Sequence, residues 1–208
     1  IGFEACKDGA FENGTVAIGY RAAKNWTTAE ACVAIGTSAL AEHKTGNNMI
    51  AIGYQAASTT QAGGDQSNSR DSSDCIFIGA HSGGGNWVDA VSSNNIAIGS
   101  STMDANLNGA DNNIGIGSAA LTDLTGGNDN VAIGHGAGAD ITTGNHNVMV
   151  GSQSGAEHTT GSRNVAIGYN SFHDTGGSSS LASVNNVAIG FEAMGGAHGT
   201  NDSNSNVC

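Results

Sequence analysis

The 208-residue sequence has no proline, and only 12% of its residues are charged and 5% aromatic. Proline removes a backbone hydrogen-bond donor and is confined to sheet edges, so its absence fits strands that pair on both sides. The shortage of aromatic residues argues against a globular interior. It indicates a thin core of small and β-branched side chains, whose order comes from stacked strands.

Basic residues are also scarce: six Lys and Arg stand against 18 Asp and Glu, for a net charge of −12. Without a basic patch we expect no binding to nucleic acid. The acidity fits a soluble, exposed surface, with weak divalent-cation binding as the alternative. No run approaches 18 apolar residues, so no membrane span is expected. The start lacks an initiator Met and a signal-like segment, which suggests a processed product or an excerpt.

The chain is rich in glycine, with 33 residues, and many of these belong to a repeat that reads V/I-A-I-G or a close variant. Counting Gly2, the spacings between successive repeat glycines are 17, 17, 17, 26, 20, 18, 17, 17, 17 and 22 residues. This regularity predicts one structural unit copied about eleven times, as in proteins built from stacked coils. The repeat glycines after Gly2 are Gly19, Gly36, Gly53, Gly79, Gly99, Gly117, Gly134, Gly151, Gly168 and Gly190.

Each unit predicts one short strand before its glycine. Val or Ile occurs one and three residues before the glycine, and residues two apart share a strand face, so this face is expected to form the core. The residue between them is usually Ala, which predicts that the opposite face is covered too. The expected core includes Val16, Ile18, Ile50, Ile52, Val131, Ile133, Val165 and Ile167.

Further columns complete the unit. Asparagines four residues before the glycine are expected to sit at a coil corner and to hydrogen-bond to one another between coils. Small and apolar residues three and four after the glycine predict a second buried segment. Together these patterns predict a single all-β domain over 1–208, a parallel β-solenoid (β-roll) with a base period of 17 and longer loops near 58–74, 84–93 and 175–184. The asparagines are Asn95, Asn113, Asn130, Asn147, Asn164 and Asn186.

No residue pattern points to catalysis or to a cofactor. The seven His fall at different coil positions, and neither a nucleophile elbow nor a phosphate-binding loop is present. The four cysteines match no zinc spacing. Cys32 and Cys75 would lie two coils apart, roughly 9 to 10 Å, which is too far for a disulfide. We therefore expect no enzyme activity, no metal and no cofactor.

The repeats resemble those of a known group of proteins. Residues 47–57, NNMIAIGYQAA, and 160–171, TGSRNVAIGYNS, are similar to the TTGxxNxAIGYxAL repeats of phage tail-fibre and related bacterial surface proteins. They also resemble the N-x-V-A-I-G repeats in the heads of trimeric autotransporter adhesins. This resemblance implies a left-handed parallel β-roll outside the cell or on a virion, often trimeric, that acts as a shaft, spacer or adhesive surface.

The two ends of the sequence are in phase. Joining Val207 and Cys208 to Ile1, Gly2 and Phe3 gives N-V-C-I-G-F-E-A, which parallels N-V-A-I-G-F-E-A at 186–193. Two interpretations follow: the sequence is an excerpt of a longer array, or subunits stack head to tail and complete each other's coil. In the joined coil Cys208 and Cys6 would flank the glycine, so a disulfide there is a hypothesis, with free buried thiols as the alternative.

Three functions remain open. The leading prediction is a structural protein that forms the shaft of an extracellular filament or fibre, with itself as partner in a head-to-tail polymer or homotrimer. The second is an adhesin or tail-fibre receptor-binding module that contacts a cell-surface glycan or receptor through loops carrying Arg70 and Trp87. The third is an ice-binding surface, because a threonine column lies eight residues before the glycine but lacks a complete second column. That column contains Thr28, Thr45, Thr143 and Thr160.

Overall fold

A computed structural model describes residues 1–8, 14–26, 30–58, 72–87, 90–173, 182–195 and 207–208. These ranges contain ten strands and no helix, and each strand is hydrogen-bonded in parallel to the next along the chain in one sheet. The predicted all-β parallel solenoid is therefore confirmed. The strands are β1 (Val16–Ile18), β2 (Val33–Ile35), β3 (Ile50–Ile52), β4 (Ile76–Ile78), β5 (Ile96–Ile98), β6 (Ile114–Ile116), β7 (Val131–Ile133), β8 (Val148–Val150), β9 (Val165–Ile167) and β10 (Val187–Ile189).

Neighbouring coils are aligned residue for residue. Val16 pairs with Val33, Ala17 with Ala34 and Ile18 with Ile35, and the same register holds through β10. The 26-residue spacing between β3 and β4 leaves this register unchanged. Columns in the sequence are therefore columns in space. Most of the predicted loops near 58–74 and 175–184 lies outside the described residues.

The repeat glycine, which we call the corner glycine, ends each strand. Its φ is about +130° to +143° in every coil from Gly2 to Gly190. A Cβ atom on any of these glycines before Gly190 would lie 2.2–2.5 Å from the carbonyl oxygen of the next corner glycine. Both the backbone conformation and this close stacking exclude other residues, which explains why the glycine recurs in each unit.

In the segment after the corner glycine, left-handed residues occur at every second position. Ser38 and Leu40, two and four residues after Gly36, have φ of 57° and 49°. The Ser38 N–H donates to the Tyr20 carbonyl of the preceding coil at 2.8 Å, and the Leu40 N–H donates to the Ala56 carbonyl of the following coil at 3.0 Å. The coils are thus hydrogen-bonded to both neighbours outside the sheet as well, which offsets the cost of left-handed non-glycine residues.

The structure corrects the predicted core. The middle residue of each strand, at what we call the strand-centre position, points inward: Ala34, Ala132 and Ala166 are fully buried. The flanking Val and Ile point outward and remain half-exposed, with 41% of Ile18 and 39% of Ile133 accessible. The expectation that the Val and Ile columns form the core was therefore wrong, and the sheet has one dry face rather than two.

The interior is too narrow for large side chains on both sides. The strand-centre position lies opposite the residue four after the corner glycine, which we call the facing position. A Cβ at Gly83 would lie 2.4 Å from Cδ1 of Phe77, and a Cβ at Gly155 would lie 2.3 Å from Sδ of Met149. Each large strand-centre residue thus requires glycine at the facing position. Where the centre is Ala, the facing residue can be larger, as at Leu40, Met103 and Phe172.

The predicted asparagine column forms a buried ladder. Oδ1 of Asn113 accepts hydrogen bonds from both the backbone N–H and Nδ2 of Asn130, each at 3.0 Å. Nδ2 of Asn130 also donates to the Gly144 carbonyl of the next coil at 2.8 Å. The same pattern links consecutive asparagines from Asn95 to Asn186. The left-handed residue at this corner is the preceding one, for example Asn112 or Asp129.

Candidate assembly site

At the start of the chain, Ile1, Gly2 and Phe3 occupy the second half of a strand and its corner. The Ile1 carbonyl accepts a hydrogen bond from the Gly19 N–H at 2.8 Å, and the Phe3 carbonyl accepts one from the Arg21 N–H at 3.0 Å. These are the bonds that consecutive coils make throughout the solenoid. Ile1 therefore lies in the outward Ile column above Ile18.

At the end of the chain, Val207 and Cys208 occupy the first half of such a strand. Val207 is bridged in parallel to Val187, and the Cys208 N–H donates to the Val187 carbonyl at 2.9 Å. The Cys208 carbonyl in turn accepts from the Ile189 N–H at 2.9 Å. Cys208 is thus at the strand-centre position. The two ends together contain the residues of one strand and corner, so the phase match in the sequence is also a geometric match.

The core cross-section is open at the first coil. A cavity of about 320 Å³ is lined there by residues from the first two coils. In the interior of the solenoid, the preceding coil covers the equivalent surface. The corner of the last coil is open as well toward the described residues, among which a Cβ at Gly190 would meet nothing closer than Ala193 Cβ at 3.8 Å. The cavity is lined by Ile1, Ala5, Cys6, Thr15, Val16, Ala17 and Ile18.

Aromatic rings directly after the corner glycine stack near both ends. Phe3 stacks on Tyr20 with centroids 5.8 Å apart, and Phe191 stacks on Tyr169 at 5.5 Å. Phe3 and Phe191 are 71% and 73% exposed, since each has a ring on one side only. Sequence reasoning missed this column, although its spacing was readable. Its aromatic members are Phe3, Tyr20, Tyr54, Tyr169 and Phe191.

Charges at the first coil are paired. Glu4 accepts hydrogen bonds from Lys7 Nζ at 3.0 Å and Arg21 Nε at 2.8 Å, and Lys24 Nζ lies 3.9 Å away. The hydrogen bonds from Lys7 and Arg21 lower the pKa of the Glu4 carboxyl. Glu4 is therefore ionised at neutral pH and lies among three basic side chains at this end.

The outer face of the sheet is a second apolar surface. The Val and Ile columns run side by side along all ten strands, and their side chains are partly or largely exposed. Large contiguous apolar patches are rare on isolated soluble proteins and mark contact surfaces. This stripe follows directly from the corrected orientation of the strands.

The candidate ligand residues are not brought together on a surface. Trp87 is 1% exposed and packs edge-on against Phe77 with centroids 5.4 Å apart, so it belongs to the core and is not a ligand contact. Arg70 lies outside the described residues. In the threonine column, Thr143 and Thr160 are exposed and Thr45 is half-buried, whereas Thr28 also lies outside the described part.

All four cysteines are free thiols. Burial raises the pKa of Cys32 to about 11 and that of Cys75 to about 12, so both remain protonated. Burial also raises the pKa of Cys6, which lines the open cavity. Within the described ranges, no group of three or more metal-ligating side chains occurs, and no helix could cross a membrane.

Comparison with known proteins returned no match to a family model, to a curated protein or to a solved structure. The site is therefore characterised by its geometry: two half-coils, two exposed aromatic rings and an apolar outer face.

Proposed function

We propose that this protein is a structural subunit of an extracellular filament or fibre shaft in which solenoids continue end to end. The observation that carries the proposal is the pair of half-strands. Val207 and Cys208 on β10, followed by Ile1 and Gly2 of a second copy, would make one complete strand and corner in the register of the other coils. We call this shared coil the join.

Backbone groups at the join have defined partners. By analogy with the Gly36 N–H, which donates to the Ile18 carbonyl, the Gly2 N–H of a second copy would donate to the Ile189 carbonyl. By analogy with Ser38, whose N–H donates to the Tyr20 carbonyl, the Glu4 N–H of the second copy would donate to the Phe191 carbonyl. Adding a strand to an open sheet edge is a common mode of protein association, because main-chain hydrogen bonds supply affinity.

Side chains at the join support the same contact. Phe191 and Phe3 occupy the same coil position, so the rings of Tyr169, Phe191, Phe3 and Tyr20 would form one stack across the join. The open core at the first coil would be covered by the last coil. Each ring pair of this kind contributes roughly 0.5–1.5 kcal/mol beyond the buried area.

A charge-swap experiment tests the join. Phe3→Glu and Phe191→Glu each change an exposed ring, so the fold should persist, but filaments seen by electron microscopy should be lost or require at least about tenfold more protein. Combining Phe3→Glu with Phe191→Lys should restore them. Tyr54→Glu, in the same column but mid-chain, is the matched control and should assemble normally. Normal assembly of both single Glu variants would contradict the proposal.

Mass spectrometry of natural filaments separates stacking from a covalent array. A subunit near the 20.6 kDa of this sequence supports stacking of separate copies. A much longer polypeptide containing V-C-I-G-F-E-A would show that a peptide bond makes the join, and the stacking proposal would be wrong while the shaft remains.

The outer apolar face supports a second mode, lateral association of copies into a homotrimer or similar bundle. Two copies present Val and Ile ridges with the same coil spacing, so their side chains can interlock along the whole stripe. Ile116→Lys with Ile133→Lys should then convert an oligomer to a monomer in sedimentation analysis without loss of β-structure. A wild-type chain that sediments as a monomer would exclude this mode.

The adhesin alternative gains no support from the described residues, because Trp87 is buried. A glycan array probed with assembled protein is its direct test, and binding that Arg70→Ala abolishes would favour it.

A further inference from the structure

The facing geometry of the interior has a consequence for two cysteines. In the β4 coil, Cγ of Phe77 lies 2.9 Å from the Cβ position of residue 83, and in the β8 coil Cγ of Met149 lies 3.2 Å from the Cβ position of residue 155. A cysteine Sγ occupies the place of such a Cγ atom. In a disulfide, each Sγ lies about 3 Å from the partner's Cβ. The strand-centre and facing positions of one coil are thus spaced for a disulfide.

Cys208 and Cys6 occupy these two positions at the join. Cys208 is at the strand-centre position because it pairs beside Ala188 through its bonds to Val187 and Ile189. Cys6 is at the facing position: its φ is 49°, as at Leu40, and its N–H donates to the Ala22 carbonyl at 3.0 Å. Within one chain the two lie at opposite ends of the stack.

We infer that Cys208 of one copy and Cys6 of the next form a disulfide across the join, an inference that rests on the proposed end-to-end stacking. The bond would lock the filament after assembly, because stacking is what brings the thiols together. Cys32 and Cys75 cannot replace them, since each occupies the asparagine column, where its Sγ is held against backbone groups.

The oxidant is a low-molecular-weight disulfide such as oxidised glutathione. The Cys208 thiolate attacks one glutathione sulfur, which forms a mixed disulfide and releases a glutathione thiolate. The Cys6 thiolate then attacks the Cys208 sulfur of the mixed disulfide. The Cys6–Cys208 bond forms, a second glutathione thiolate leaves, and the two protons lost by the cysteines go to the two released thiolates.

The test compares the chain, prepared with Ile1 as its first residue, in oxidised and reduced glutathione. In the oxidised buffer we expect more than half of the chains to run as a covalent ladder on a non-reducing gel. Peptide mass mapping should find Cys6 linked to Cys208, with Cys32 and Cys75 as internal controls that remain free thiols. Cys6→Ser and Cys208→Ser should each abolish the ladder while filaments still form.

The outcomes separate the two proposals. Filaments whose four thiols stay free in the oxidised buffer would overturn the disulfide and leave the stacking intact. If no filaments form, the disulfide is tested instead in a tandem chain, in which a peptide bond joins Cys208 of one copy to Ile1 of the next. A Cys208–Cys6 link in that tandem chain would show that the thiol placement is right and the stacking wrong, whereas its absence would overturn the disulfide.

Discussion

Two regions of the solenoid differ in the residue that lies four positions before the corner glycine. From β5 to β10, the residue four before the corner glycine is always asparagine, and the amides form an unbroken buried ladder. From β2 to β4, the same position holds Cys32, Met49 and Cys75. The register and the strand geometry are the same in both regions.

What the position needs is an acceptor for the next coil's backbone N–H. Asparagine supplies its Oδ1, at 3.0 Å from the Asn147 N–H in one case. Cys32 supplies its sulfur, 3.2 Å from the Met49 N–H, and Cys75 does the same for Asn95 at 3.4 Å. Sulfur is a weak acceptor, so the asparagine region is expected to be the more stable one. In the Cys32 and Cys75 coils a sulfur thus takes the place of the amide oxygen as the partner of the buried N–H.

The largest effect should come from breaking the ladder in the middle. Asn130→Ala removes the acceptor of two Asn147 groups and a donor to Gly144, which leaves buried polar groups without partners. We expect the free energy of unfolding to fall by about 4 kcal/mol. Denaturant titration and hydrogen exchange at the Asn147 amide measure it.

Asn130→Cys is the matched control, because it imitates the first region. A sulfur should restore the contact to the Asn147 N–H and recover part of the loss. Equal destabilisation by the Ala and Cys variants would show that sulfur is not an effective acceptor and would contradict our account of the first region.

Acid should loosen the first region locally. His43 is fully buried, and burial lowers the pKa of its imidazole to about 4 from an unfolded value near 6.5. Neutral His43 therefore supports the fold above pH 6.5, and about 3 kcal/mol of that support is lost as the pH falls from 6.5 to 4. The protection factors of the Leu40 and His43 amides, which correct for the slower intrinsic exchange in acid, should fall over this range.

The buried carboxyls of the second region should respond to acid in the opposite direction to His43. Burial raises the pKa of the Asp104 and Asp140 carboxyls, so protonation at low pH stabilises their surroundings. Amides near them should keep their protection where those near His43 lose it. His43→Gln should remove the acid response of the first region; a response that persists in this variant would assign it to another group.

The smallest effect on stability should come from extending the asparagine ladder by one coil toward the N-terminus. Cys75→Asn places an amide next to Asn95, where its Oδ1 can accept from the Asn95 N–H and its Nδ2 can donate to the Ser92 carbonyl, now near the thiol. We expect a gain of about 1 kcal/mol in denaturant titration. Cys75→Ala should instead destabilise, and a similar result for both variants would show that the site does not accept the amide.

The sequence was sufficient to predict the register and much of the fold. The corner glycine has φ near +135° and no room for a Cβ, so glycine recurs in the sequence at the repeat period. A stacked amide such as Asn130 recurs at the same period. These features depend on contacts between equivalent residues in adjacent coils. A repeat therefore displays them directly.

Which face is inside could not be read from strand alternation. Val131 and Ile133 share a face whether that face points in or out, and β-branched residues suggested the core. The deciding quantity is the width of the interior, which depends on the path between strand and facing position. The sequence did contain a signal that the strand-centre residue points inward, since Phe77 and Met149 are each followed by glycine six residues later. Likewise, the aromatic column near the ends had a readable spacing but no evident role before the half-strands were located.

Residue-for-residue register also determines how the solenoid carries load. The hydrogen bonds between coils run along the axis, so a pull along the axis is shared by all the bonds of one interface, while successive interfaces experience the same force. Such a stack ruptures at its weakest interface and leaves the others intact. Because sulfur replaces the amide between β2 and β3 and between β4 and β5, we expect rupture at one of these two interfaces.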